Sequence, residues 1–250
     1  MIARNEKKLK HRIKEIKEKH PQANVDYIQF DFDTYNYPDE NGQTQYSKLF
    51  QKIDSLEAEI VGIVNNVGIL TIQPYEFMPH EVIDRMIKVN CLPAVHLTRH
   101  IIPKLLKRKS KSLILNIGAG FGEHGFPGVA VYGGTKAFIH SFTESLSSQY
   151  GGEIDVICSV PSPVESNMNP PGMKIPFSIT ARQHVEGTLK EIGYADQTYA
   201  HLKHDIISLI AKTPLFAREL RKRQANHEEE IAKYERIRKE YQSKSTFKED

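Results

Sequence analysis

Cysteine is scarce in this 250-residue chain: only Cys91 and Cys158 occur, both in apolar sequence surroundings. So sparse a pair excludes a disulfide framework and a cysteine metal site, and the two read as reduced core thiols of an intracellular protein. Long apolar runs are also lacking. The longest, Ile206-Ile207-Ser208-Leu209-Ile210-Ala211, falls far short of the roughly 18 residues a membrane helix needs. The opening Met1-Ile2-Ala3-Arg4 and the charged run behind it lack the apolar centre of a signal peptide. An excess of one charge is missing as well. Lys and Arg number 34 against 31 acids, a net charge of +3, and the signs are interleaved, so nothing argues for nucleic acid. Glycine is absent from the start, Gly42 being the first, so no glycine-rich phosphate cradle opens the chain.

What is present is an alternation of helix and strand patterns. Glu6 to His20 carries Leu9, Ile13 and Ile16 among lysines and glutamates, the spacing of an amphipathic helix. A strand pattern follows at Val25–Phe32, then a polar loop through Pro38, Asn41 and Gly42, and a helix over Tyr46–Leu56. The strand Ile60–Val64 is uniformly apolar, as a buried parallel strand should be, and ends in Asn65-Asn66-Val67-Gly68. A helix from about His80 to Lys107, a strand at Leu113–Ile117, a Gly-rich loop, a helix to about Tyr150 and a strand at Ile154–Val160 complete the pattern. Length and alternation predict one α/β domain, a doubly wound parallel sheet with helices on both faces. Functional groups are then expected at the carboxyl ends of the strands. Arg218–Tyr241 is dense in charge, with apolar positions only at Leu220, Ile231, Tyr234, Ile237 and Tyr241. It reads as a solvated helix or frayed tail, a weak coiled coil or partner contact being the alternative. The domain is expected over residues 1–216 and the tail over 217–250, with Ser243 to Asp250 disordered.

The densest chemical signal is Val131-Tyr132-Gly133-Gly134-Thr135-Lys136. Four-residue spacing on a helix puts Tyr132 and Lys136 on one face, a phenol beside a fixed ammonium. Together with Asn65-Asn66-Val67-Gly68, Asn90 in Val89-Asn90-Cys91-Leu92, and the stretch Pro161-x-x-Val164-x-Ser166-x-Met168, the pair resembles the short-chain dehydrogenase/reductases. The closer likeness is to the branch of 17-beta-hydroxysteroid dehydrogenases and very-long-chain 3-oxoacyl-CoA reductases. The resemblance runs from residue 1 to about Phe216 and implies a Rossmann-like fold and reduction of a lipid-like ketone by NADP(H). Tyr132 would then give the proton, Lys136 would lower its pKa and bind the nicotinamide ribose, and Asn90 would hold a water leading to solvent. By the same resemblance Asn65, Gly68 and Val164 border the cofactor. Arg4 would meet its 2′-phosphate, a plain surface cation being the alternative. Asp31 would contact adenine, an ordinary strand-end turn being the alternative. His124 and His140 read as a loop histidine and a helix-face histidine. The apolar stretch Asn169 to Phe177 occupies the substrate-loop position. A homodimer through the Asn90 and Tyr132 helices is the expected partner, and the branch implies the endoplasmic reticulum membrane, whereas the chain as written reads as cytoplasmic.

Two departures accompany the likeness. The family opens on a strand and glycine-rich turn that cradle the pyrophosphate, and this chain starts near the end of the family's second strand. The fold is therefore expected to be amino-terminally incomplete: either a truncated polypeptide or a short form stabilised by a partner or rearrangement. The absent strand would part the third strand from the fourth and weaken NADP(H) binding. The second departure concerns the serine that faces the substrate carbonyl. It precedes the tyrosine by 13 residues in the family, and 132 − 13 = 119 is Ala119 here. No serine lies between Ser112 and Ser141. Loss of one positioned donor predicts turnover lower by roughly 10²–10³, or a catalytically inactive binding or scaffold protein.

Overall fold

The computed structural model describes residues 1–166 and 177–213, together with positions 232, 235, 236 and 239. In chain order the elements begin with β1 (Ile2–Ala3), α1 (Glu6–Lys19), β2 (Ile28–Gln29), α2 (Gln45–Asp54) and β3 (Gly62–Asn65). There follow α3 (His80–Leu105), β4 (Ser112–Ile117), α4 (Ala130–Tyr150), β5 (Ile154–Ser159), β6 (Val164–Glu165) and β7 (Ile179–Thr180). Last come α5 (Ala181–Glu191), β8 (Gln197–Thr198) and α6 (Leu202–Ala211). The helix starts obey local chemistry: Asn5 caps α1 through its side chain, and Thr44 with Ser47 forms a capping box at α2.

Every strand pair is parallel. The main sheet runs β3-β4-β5-β8, with β1-β2 and β6-β7 as separate two-stranded sheets. The expected parting is thus present: the Ile28 strand and the Ile63 strand belong to different sheets, and side chains rather than a ladder bridge them. Ile2, Ile28 and Phe30 pack with Ile60, Ile63 and Val67 around buried Phe32, Tyr46, Leu49, Ile53 and Leu97. A second cluster joins Ile101, Ile102 and Leu105 of α3 to Ile114, Ile154 and Val156 of the sheet.

One expectation needs correction, and two lie mostly outside the described residues. The strand pattern at Val25–Phe32 yields only Ile28–Gln29, because its partner β1 offers two residues and the Asp31 carboxylate accepts from Asp33 N–H at 2.9 Å, turning the chain. The substrate-loop stretch and most of the 217–250 tail lie outside the described residues, except Phe177 at the end of that loop and the four helical positions named above.

Candidate active site

The carboxyl ends of β3, β4 and β5 and the start of α4 meet at one place. Asn116 is fully buried and ties three elements together. Its Oδ1 accepts from Asn65 Nδ2 at 2.7 Å and its Nδ2 donates to Thr143 Oγ1 at 2.9 Å. Asn65 also donates to Thr98 Oγ1 at 3.0 Å, so its side chain stitches β3 to β4 and α3. Asn90, on α3, is 3% exposed. Its Oδ1 accepts from Ile69 N–H at 2.8 Å while its Nδ2 donates to Ile69 O and Thr135 Oγ1, both at 3.0 Å. One asparagine therefore locks the turn after β3 onto α4, one residue from Lys136.

Tyr132 and Lys136 are both buried on α4, with the Lys136 Nζ 5.7 Å from the Tyr132 ring centre. Lys136 donates to the Ile117 carbonyl at 2.7 Å, at the end of β4. Burial depresses its ammonium to about 8, neighbouring Cys158 and Cys91 opposing weakly. Burial pushes the Tyr132 phenol up to about 12. The direction is opposite to the lowering expected of the lysine, and its cause is desolvation of the phenolate. The geometry still joins an acid and a cation in one water-poor pocket.

Ala119 follows β4 by two residues and is buried. Its methyl belongs to an apolar cluster with Tyr132, Val129, Met78 and Met86, and its N–H donates to His140 Nε2 at 3.3 Å. His140 is therefore no plain helix-face residue; burial lowers its pKa and keeps it a neutral acceptor. His124 lies 3.6 Å from Glu123. Val164 opens β6, pairing with Ile179.

Beside the separate β1-β2 sheet, Arg4 and Asp31 line one open basin of about 1780 Å³, with Asn5, Thr34, Lys48 and Arg85 among its walls. The groups at these two places are of the kind a nicotinamide dinucleotide would need, a cation and a carboxylate at one and a bare backbone at the other. At Gly68 an added Cβ would stand 3.5 Å from Asn90 Oδ1 and 3.7 Å from Lys136 Nζ. The bare glycine backbone thus leaves room against the lysine that a side chain would fill. Among the described residues no glycine-rich strand–turn–helix joins the two places.

A parallel sheet flanked by helices, with a Tyr–Lys pair at its carboxyl edge, defines a Rossmann-type oxidoreductase scaffold. The family profile for short chain dehydrogenases matches residues 1–174, and the chain belongs to that family. It lies in the branch of steroid dehydrogenases and very-long-chain 3-oxoacyl-CoA reductases. A Caenorhabditis elegans protein named "Putative steroid dehydrogenase 1" is 29% identical over 94% of this chain and 74% of its own length. The very-long-chain 3-oxoacyl-CoA reductase-B of Danio rerio is 29% identical over 89% of this chain and 69% of its own. The corresponding reductase of Pyricularia oryzae is also 29% identical, and the chain spans only 59% of its length. Among solved structures, a 7beta-hydroxysteroid dehydrogenase has a TM-score of 0.69 at 20% identity, covering 82% of this chain and 77% of that one, which shows the fold. No helix among the described residues is long and apolar enough to cross a membrane.

Proposed function

We propose that this chain is an NADP(H)-dependent reductase of a lipid-like ketone, a 3-oxoacyl-CoA or a steroid, in which Tyr132 is the proton donor. The observation that carries the reading is the buried Tyr132–Lys136 pair, closed from the side by Asn90 and the bare Gly68. Bound NADPH supplies the hydride. The protein supplies the rest: Tyr132 gives its hydroxyl proton to the carbonyl oxygen as charge develops there, and the Lys136 cation beside it stabilises the phenolate left behind. Exclusion of water by the Met78, Met86 and Val129 cluster strengthens that interaction. Arg4, Asp31, Asn65 and Val164 are assigned to cofactor contact by the family resemblance, the first two supported by their shared basin. Turnover is slow, because Ala119 offers a methyl where a hydroxyl would hold the carbonyl, and weakened cofactor binding belongs to the same reading.

The test is NADPH oxidation with a 3-oxoacyl-CoA and with a steroid ketone. Slow turnover that Tyr132→Phe abolishes supports the reading. No turnover with either, in wild type and in Ala119→Ser alike, favours the second reading, an inactive homologue that binds or scaffolds. That alternative draws on the apolar surroundings of Ala119. The same proposal includes a homodimer through α3 and α4, supported by exposed Ile87 and Phe138, the latter stacked on Phe142. Sedimentation tests it. Location at the endoplasmic reticulum membrane belongs to the reading by family resemblance, and cell fractionation tests it.

A further inference from the structure

The loop between β4 and α4 carries an acid that the reaction scheme does not use. The Glu123 side chain is only 11% exposed, yet it reaches across to the carboxyl-terminal elements. Its Oε1 accepts from Gln197 Nε2 at 2.6 Å and from the Tyr199 hydroxyl at 2.7 Å. Its Oε2 accepts from Ser208 Oγ at 3.0 Å. Lys212 Nζ stands 4.0 Å away and itself donates to the Tyr199 hydroxyl at 3.0 Å. Burial opposes the charge, but the donations from Tyr199, Gln197 and Ser208 outweigh it and hold the carboxyl below its ordinary value. A buried anion with three donors has one position, and its backbone shares it.

That backbone ends the turn that follows Ala119. Gly122 N–H donates to Ala119 O at 2.8 Å and Glu123 N–H to Gly120 O at 3.1 Å. Gly122 lies so close to α4 that a Cβ there would meet the Lys136 carbonyl carbon at 2.7 Å and Ala137 N at 2.8 Å. At the other end of the turn, the Ala119 N–H is held by His140 and Gly120 N–H by Pro161 O at 2.9 Å. The turn is thus pressed onto the Lys136 turn of α4 from one side and tied to β8 and α6 from the other.

We propose that Glu123 is a positioning residue: its clamp to Gln197, Tyr199 and Ser208 fixes the Ala119–Gly122 turn against α4 and so sets where a substrate carbonyl lies relative to Tyr132. The inference rests on the reading of Tyr132 as proton donor, and it makes α6 part of the frame of the site.

The experiment compares Glu123→Ala, Glu123→Gln and Ser208→Ala in wild-type and Ala119→Ser backgrounds. NADPH-dependent turnover is read as separate kcat and KM, and amide exchange is followed over residues 117–137. Glu123→Ala is expected to lower kcat roughly 10- to 100-fold, since small misplacements near the chemistry are that costly, with the KM for NADPH within about twofold. Exchange at Ala119–Gly122 accelerates in parallel. Glu123→Gln retains an acceptor for Gln197 and Tyr199, and turns an amide toward the Ser208 hydroxyl, which can accept. It restores much of both readouts. A folded Glu123→Ala with unchanged kcat, or with unchanged exchange at Ala119–Gly122, overturns the proposal. Should Glu123→Ala fail to fold, Ser208→Ala, which removes one of the three donors, carries the same comparison, and no change in either readout there overturns it. If no ketone is turned over in any background, the functional reading fails separately. Exchange then decides the clamp alone: faster in Glu123→Ala upholds it, unchanged overturns it.

Discussion

At Ala119 the proposed reading turns on a single oxygen. Its methyl packs with Tyr132, Met78, Met86 and Val129, so a serine there would meet an apolar wall on most sides and any carbonyl placed over Tyr132 on the remaining one. Ala119→Ser should raise kcat by roughly 10²–10³, the usual worth of one positioned donor. Its stability cost should stay near 1 kcal/mol, the order expected for a partly compensated buried hydroxyl. Steady-state NADPH oxidation checks it, and an unchanged rate would remove Ala119 from the carbonyl-facing position. Lys136 gives a second residue-scale prediction. Its pKa falls from an ordinary 10.5 to about 8 on folding, through burial. Between those values the unfolded chain binds more protons than the folded one, so stability rises with pH from about 8 upward. Below pH 8 the buried ammonium costs about 3 kcal/mol by the size of that shift. Lys136→Met should therefore be more stable than wild type in urea at pH 7, and the difference should shrink by pH 10. A gap that is constant with pH would show that the lysine is not desolvated.

Among the elements, legibility followed whether a segment's own pattern matched its burial. The helix carrying Tyr132 and Lys136, the long α3 with Asn90, and the apolar strands β4 and β5 were all readable, because their apolar periodicity points at the core. Strands β6, β7 and β8 and helices α5 and α6 were not, and the reason is physical. Helix α5 buries His184 and Thr188 while exposing Val185 and Leu189, and α6 buries His204 and Ser208 while exposing Leu202 and Leu209. An inside-out pattern of that kind gives hydrophobic periodicity nothing to follow. Ser159, fully buried, meets His184 Nε2 at 2.9 Å and Thr188 Oγ1 at 2.8 Å, so hydrogen bonds, not apolar contact, seat α5 on the sheet. Glu123 was invisible for a related cause: its partners at 197, 199 and 208 are remote in sequence. The role of Asn116 was equally silent, although it joins β3, β4 and α4. Asn116→Ala would leave Asn65 with one partner fewer and Thr143 without its donor, and should cost about 1–3 kcal/mol. Equilibrium unfolding measures this. A loss well under 1 kcal/mol would mean that the pairs reform with water.

For the whole molecule, the parting of β1-β2 from β3-β4-β5-β8 dominates. Among the described residues, β4 of the main sheet is paired on both sides, whereas β3 is paired only to β4. Leu113 N–H donates to Val61 O, which in a parallel ladder turns the N–H groups of Ile63 and Asn65 toward β4 and those of Gly62 and Val64 away from it. Val61 and Val64, on opposite faces of the strand, are 55% and 56% exposed, so solvent reaches both faces near this edge, while Ile63 packs into both main clusters. The two halves are therefore held together by side chains around Tyr46, Leu49 and Leu97 and not by a continuous ladder. Native-state amide exchange should divide along this seam. Gly62 and Val64 should exchange through local openings, at least tenfold faster than Ile63 and Leu115, because an unpaired strand edge needs no global unfolding to reach solvent. Side-chain energetics should follow: Val64→Thr should cost less than about 0.5 kcal/mol, as an exposed substitution, whereas Ile63→Ala should cost about 2–5 kcal/mol, as a core truncation. Equal protection of the four amides, or equal costs for the two substitutions, would mean that in solution this edge of β3 is covered and the two sheets act as one.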